Sequence, residues 1–197
     1  MNSSQTGSPL IVRDPALTVQ LESWKLMGEG VTLSEKKLKD LKGLFADEEA
    51  RRLMDPEANV YRVQSYMPVA QGTPGGLFFG NTTVQPGKVQ DEYFMTRGHI
   101  HPNAGTAEYY WGIKGEGVLI LMDANRVTWA ERVFPGSLHY IAGDVAHRLA
   151  NSGLVPFTIG ACWYSDAGHN YDEIERNGFS ARLVEVRGVP KLVESKV

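Results

Sequence analysis

Between residues 59 and 186 the chain is cut every few residues by turn chemistry: Gly72-Thr73-Pro74-Gly75-Gly76, Pro86-Gly87, Lys114-Gly115-Glu116, Pro135-Gly136, Gly143-Asp144 and Asn151-Ser152-Gly153. Glycine and proline at such points suit tight turns and break regular elements. The pieces between them are short and rich in β-branched and aromatic residues: 60–66, 77–84, 92–96, 109–113, 117–122, 127–131, 138–141, 146–149 and 157–164. Short strands at roughly even spacing, joined by tight turns, predict an all-β sandwich or barrel. With 197 residues there is room for one substantial core, so residues 59–186 are expected to form a single barrel.

The flanks read differently. Residues 1–9 are polar with almost nothing to bury and are expected to be a tail. Residues 10–58 are expected to be an arm with short helices packed on the barrel. There Leu17, Val19 and Leu21 alternate as a strand does, and Thr32-Leu33-Ser34-Glu35 has the spacing of a helix capping box. Leu38, Leu41, Leu44 and Phe45 continue with helical spacing, and Asp47 is placed to cap a second helix that Asp55-Pro56 stops. Residues 166–177 suit a short helix or loop, 181–186 a strand packed outside the barrel, and 187–197 a C-terminal tail.

The chemistry concentrates at Thr96-Arg97-Gly98-His99-Ile100-His101, Glu108 and His147. In a strand, His99 and His101 project from one face, Glu108 stands one short loop further on, and His147 joins from a distant segment. Such a set suits a divalent first-row transition metal and leaves coordination positions for water or substrate oxygens. A His-x-His pair by itself also occurs in strands that bind nothing. His139, beside Tyr140, lies outside this pattern and reads as structural, and Lys114 and Glu116 read as a solvated hairpin tip.

Composition narrows the partners. A net charge of -3 and the lack of a basic stripe exclude a nucleic-acid surface, and no apolar run is long enough to cross a bilayer. The polar first residues carry no apolar signal core, so the expected location is the cytoplasm. Cys162 is the sole cysteine and reads as a buried thiol in a strand.

At Gly98-His99-Ile100-His101, Glu108, Lys114-Gly115-Glu116-Gly117, Pro135-Gly136 and His147 the sequence resembles the cupin superfamily, which implies a double-stranded β-helix (jelly-roll) barrel with one metal at its mouth. A narrower likeness is carried by Thr82-Thr83-Val84, Pro86-Gly87-Lys88-Val89, Thr96 to His101, Ala107-Glu108-Tyr109-Tyr110, Ala146-His147-Arg148 and Asp166-Ala167-Gly168-His169-Asn170-Tyr171. These look like the cupin-type glucose-6-phosphate isomerases of archaea and some bacteria, from about Asp47 to Ser180; the first forty or so residues show no clear counterpart.

That resemblance implies a metal-dependent aldose-ketose isomerase of glycolysis and gluconeogenesis, acting on a small sugar phosphate as a homodimer. One divalent metal per subunit, Fe, Mn, Ni, Co or Zn, would be held by His99, His101, Glu108 and His147. Glu108 is then the candidate base of an enediol route, with a metal-assisted hydride shift as the alternative. His169 and Tyr171 are placed over the sugar by the resemblance, and Tyr110 shares the face of Glu108. Thr82, Thr83, Thr96, Arg97 and Gly98 are the candidate phosphate donors. Strict alternation favours Arg97 on the histidine face, whereas the resemblance favours Thr96 and Gly98, so a kink or bulge is expected there. Other readings of the same ligands are a mannose-6-phosphate isomerase, an iron-dependent dioxygenase and a non-catalytic sugar-binding cupin.

Overall fold

The computed structural model describes residues 11–195; the expected tail over residues 1–9 and the last two residues lie outside the described residues. A hairpin of β1 (Thr18–Gln20) and β2 (Lys25–Met27) leads into β3 (Val31–Lys37), a 3-10 turn (Leu38–Leu41) and α1 (Glu48–Leu53). Next come β4 (Asn59–Tyr66), β5 (Leu77–Val84), β6 (Lys88–Val89), β7 (Glu92–Tyr93), β8 (Glu108–Lys114) and β9 (Gly117–Met122). They are followed by β10 (Thr128–Val133), β11 (Leu138–Ile141), β12 (Ala146–Ala150) and β13 (Phe157–Tyr164). The last described elements are α2 (Asp172–Asn177), β14 (Ala181–Val186) and β15 (Val189–Glu194).

A six-stranded antiparallel sheet, ordered β11-β8-β13-β5-β4-β3, faces a three-stranded sheet ordered β10-β9-β12, with β15-β14-β7-β6 at the side. This is the expected double-sheet barrel with peripheral strands. Val84, Leu119, Leu121, Phe157 and Ile159 are fully buried. Each such side chain contributes about 1.5–3 kcal/mol through the apolar area it removes from water. Every residue of β9 is buried, which is why Gly117 to Met122 reads as a continuous apolar run rather than an alternating one.

The expected helix at Thr32-Leu33-Ser34-Glu35 is not formed. These residues lie in β3, paired with β4 from Val31↔Tyr66 to Lys36↔Tyr61. The capping spacing is a local preference, and the open edge of β4 supplies a ladder of backbone hydrogen bonds that outweighs it. Leu33 is 60% exposed, so a helix there had no apolar face to bury. The spaced Leu38 and Leu41 are fully buried, but through the 3-10 turn. Asp47 does cap α1, accepting from the Ala50 N–H at 2.8 Å. The segment expected as a C-terminal tail instead forms β15, joined to β14 through Arg187-Gly188. Both residues hold the positive φ that a two-residue hairpin turn demands. Among the described residues no helix is long and apolar enough to cross a membrane.

Candidate metal centre and cavity

After β7 the chain runs antiparallel along β12, with bridges at Met95↔Ala150 and His99↔His147. Between those bridges it has one residue more than β12, which makes a β-bulge, and Gly98 takes a φ of +81° within it. The extra residue changes the parity. Thr96 pairs with Leu149, its N–H donating to the Leu149 carbonyl at 2.8 Å, while the His99 N–H donates to the His147 carbonyl at 3.1 Å. Thr96 and His99 therefore both line the barrel interior, as Leu149 does. The guanidinium of Arg97 binds the Glu175 carboxylate and donates to the Asp40 carbonyl at 2.7 Å. Arg148, buried on the other face of β12, donates to the Arg97 carbonyl at 3.0 Å and lies 4.0 Å from the Phe179 ring, which holds the bulge in place.

The bulge delivers His99 and His101 to a point that Glu108, the first residue of β8, and His147, on β12, also reach. The four ligating atoms lie within 4.8 Å of one another. Glu108 is 3% exposed, and its Oε1 stands 2.6 Å from His147 Nε2 and 3.4 Å from His101 Nε2. His147 Nδ1 faces the Val145 carbonyl at 3.0 Å and His101 Nδ1 the Thr106 carbonyl at 3.4 Å. Protons on these Nδ1 atoms leave both Nε2 lone pairs aimed at the centre. Among the described residues, the Nε2 atoms of His99, His101 and His147 and Oε1 of Glu108 are buried and turned towards one another with no hydrogen-bond partner outside the cluster, a costly arrangement that a bound cation relieves. The donor set, three neutral imidazoles and one carboxylate, fits a divalent transition metal.

The electrostatics agree with the geometry. Burial, then His147, His169 and His101, hold His99 well below its usual 6.5, so it stays neutral and able to ligate. Burial by itself would raise the Glu108 carboxyl, but His147 and His101 bring it down to about 2. Burial would lower His147, yet the Glu108 carboxylate raises it. Burial pushes the Tyr110 hydroxyl well above 10, with Glu108 adding to the effect, so it remains a neutral donor.

A cavity of about 300 Å³ opens from this centre along the inner face of the six-stranded sheet. At the metal end Tyr110 is buried, with its ring 5.6 Å from that of His147. The loop after β13 is fastened across the mouth by a pair of backbone hydrogen bonds between Ile100 and Asn170. His169 and Tyr171 flank Asn170 and so face the same side as His99 and His101, and the His169 ring lies 4.4 Å from that of His99. Partial burial, and then His101, lower the His169 pKa. Thr82, Thr96, Arg97 and Gly98 also line the cavity. Thr83 does not line the cavity: neighbours on a strand point to opposite faces, and its hydroxyl is buried against that of Thr158 at 3.0 Å. Arg97 reaches the wall, but its charge is committed to Glu175.

Several lining residues are not marked as site residues by the sequence motifs, and two of them bear polar groups at the far end. Tyr61 on β4 and Lys36 on β3 are register partners at the end of the cavity away from Glu108. The alternation of Tyr61, Val63 and Ser65 was a signal for the first; the second was hidden by the helix expected at β3. His139, outside the centre, hydrogen-bonds Glu131 at 2.6 Å and Ser137 at 2.9 Å, a structural role. Cys162 is half-buried on β13, and burial raises its thiol pKa.

A family model described as glucose-6-phosphate isomerase matches residues 35–193. The glucose-6-phosphate isomerase of Thermococcus kodakarensis is 36% identical over 93% of this chain and 95% of that protein. Its counterpart from Thermococcus onnurineus is 39% identical over 81% and 84%, and that of Sinorhizobium medicae 36% over 77% and 72%. Among solved structures, oxalate decarboxylase of Bacillus subtilis superposes on 57% of this chain and 27% of that one, at 19% identity and a TM-score of 0.44. The match to the Thermococcus kodakarensis protein reaches into the first forty residues, where the motifs alone had shown no counterpart. Similarity of this degree, sustained over most of both chains and not confined to the metal motif, places the protein: it belongs to the cupin-type glucose-6-phosphate isomerase family.

Proposed function

We propose that this protein interconverts glucose 6-phosphate and fructose 6-phosphate, using one divalent transition metal per subunit held by His99, His101, Glu108 and His147. The observation that carries the reading is a cavity that reaches this four-residue cluster through His99 and Glu108 and is also lined by the hydroxyl-bearing Tyr61, Thr82 and Thr96, in a chain of this family. A sugar phosphate laid along it has its C1–C2 end at the centre and its phosphate near Thr82, Thr96, Gly98 and Tyr61. When bound, a divalent cation supplies Lewis acidity to charge developing on the sugar's O1 and O2, worth several kcal/mol.

The chain's own residues supply the rest. Glu108 turns Oε1 to the ligand cluster while its side chain also lines the cavity. In our reading the second oxygen takes the C2 proton of the aldose and returns it to C1, as a proton passes from O2 to O1. His169 accepts and returns a proton during ring opening. Tyr110 and Tyr171 donate hydrogen bonds to sugar hydroxyls, and the loop carrying His169 limits access of water. We further place the protein in the cytoplasm, in glycolysis and gluconeogenesis. A homodimer is supported by the exposed apolar side chains Tyr109, Leu138 and Tyr140 on the outer face of the six-stranded sheet.

The test is a coupled assay with fructose 6-phosphate and mannose 6-phosphate, before and after chelation, with Fe, Mn, Ni, Co and Zn added back and oxygen uptake followed. Turnover of fructose 6-phosphate that chelation abolishes and a metal restores is the expected result. Full activity of the stripped protein, or oxygen uptake without isomerisation, would overturn the reading. Run in deuterium oxide, turnover should place solvent deuterium at C2 of glucose 6-phosphate. Its complete absence removes Glu108 as the base and leaves the hydride shift.

A further inference from the structure

We propose that Lys36 is the counter-charge for the substrate's phosphate and that it sets the preference of this cavity for phosphorylated sugars. The inference rests on the phosphosugar reading given above. A phosphate that is doubly negative near neutral pH is held best where hydroxyl and amide donors are joined by a cation. Among the described residues, two cationic side chains line the cavity, Lys36 and Arg97. Arg97 is turned by the bulge towards Glu175 and the Asp40 carbonyl, so its charge is already met.

The lysines of this stretch divide by face. Lys37 and Lys39 both pair with Glu57, whereas Lys36 lines the interior with Ser34, two residues earlier on β3. Among the described residues no carboxylate stands within 4.0 Å of the Lys36 ammonium. Its strand partner is Tyr61. One step nearer the metal end, Ser34, Val63 and Thr82 form the next row across β3, β4 and β5. A half-buried lysine near the hydroxyl-bearing Tyr61, Ser34 and Thr82, with no carboxylate lining that part of the cavity among the described residues, is a site prepared for an anion. Lysine serves such sites as a flexible point charge.

The experiment compares wild type, Lys36→Gln, Lys36→Arg and Lys37→Gln, all metal-loaded and checked for fold by circular dichroism. KM and kcat for fructose 6-phosphate are measured across a salt series, together with competitive inhibition by inorganic phosphate. Loss of one charge-assisted hydrogen bond predicts that Lys36→Gln raises KM and the phosphate inhibition constant by about 10- to 100-fold, mainly on KM rather than kcat. It should also flatten the rise of KM with salt. Lys36→Arg should recover most of the loss, and Lys37→Gln should follow wild type. Wild-type KM and phosphate inhibition in Lys36→Gln would overturn the proposal. If the wild type itself turned over no sugar phosphate, the isomerase reading would fall. Calorimetric binding of inorganic phosphate to wild type and Lys36→Gln would then still decide whether Lys36 holds an anion.

Discussion

Glutamine at position 108 keeps the shape of the side chain and removes its charge, which makes Glu108→Gln a direct measure of what the carboxylate does in the metal-free protein. With the cation chelated, a proton on His147 takes its place against Glu108 Oε1, 2.6 Å away. The fall of the Glu108 carboxyl from 4.5 to about 2 corresponds, at about 1.4 kcal/mol per pKa unit, to about 3 kcal/mol of folded-state stability. At 3% exposure, solvent screening removes little of it, and the magnitude agrees with the roughly 3–5 kcal/mol lost when a buried ion pair is broken. The sign follows from the directions. A depressed carboxyl contributes fully above its unfolded value of 4.5, and the contribution fades as pH falls towards about 2. His147, raised above 6.5, contributes fully below that value and loses its share as pH climbs through its folded pKa. The gap between wild type and Glu108→Gln should therefore be widest between pH 4.5 and 6.5. Urea unfolding in chelator at about pH 6 should show a gap of about 3 kcal/mol, and at about pH 3 a clearly smaller one. Equal gaps at both pH values, or none at the higher, would refute the reasoning. Titrating metal back should show the variant binding at least about 100-fold more weakly, since a ligand matters more than the outer partners of a ligand do.

Two further substitutions test the bulge and the strand faces. Gly98→Ala forces a side chain onto a φ of +81°, with its Cβ 3.0 Å from the Phe179 ring and 3.1 Å from Arg148. The left-handed backbone alone costs about 1–2 kcal/mol, so chemical denaturation should show a loss of about 2 kcal/mol or more. Metal content should fall with it, because His99 is the next residue. Thr82→Val and Thr83→Val should separate cleanly in steady-state kinetics. The first removes a cavity hydroxyl and should raise KM for fructose 6-phosphate about tenfold, the result of losing about 1 kcal/mol or slightly more. The second leaves KM near wild type and instead costs about 1 kcal/mol of stability through the buried Thr158 hydroxyl.

The readable parts of this protein are those whose geometry is local. His99 and His101 share a face because a strand repeats every two residues, and the glycine and proline turns separate β8, β9, β11 and β13 wherever the backbone must reverse. What local spacing does not contain is the partner strand. Counting by twos from His99 selects Arg97 for the interior; the interior residue is Thr96, because β12 pairs with this segment one residue short and the surplus is absorbed at Gly98. The pairing joins residues about fifty positions apart, so the family resemblance, and not the periodicity, pointed to Thr96. Thr82 and Thr83 pose the same question in a simpler form. Alternation says that only one of them can face the cavity, but which one depends on the register of β5 between β4 and β13. The helix expected at Thr32 to Glu35 had the largest consequence. A capping-box spacing describes a helix start in isolation, whereas the unsatisfied edge of β4 recruits the same residues as a strand and turns Ser34 and Lys36 inward. With that one reassignment the cavity gains a second lining cation beside Arg97, whose own charge is given to Glu175, and which of the two faces inward follows from sheet register.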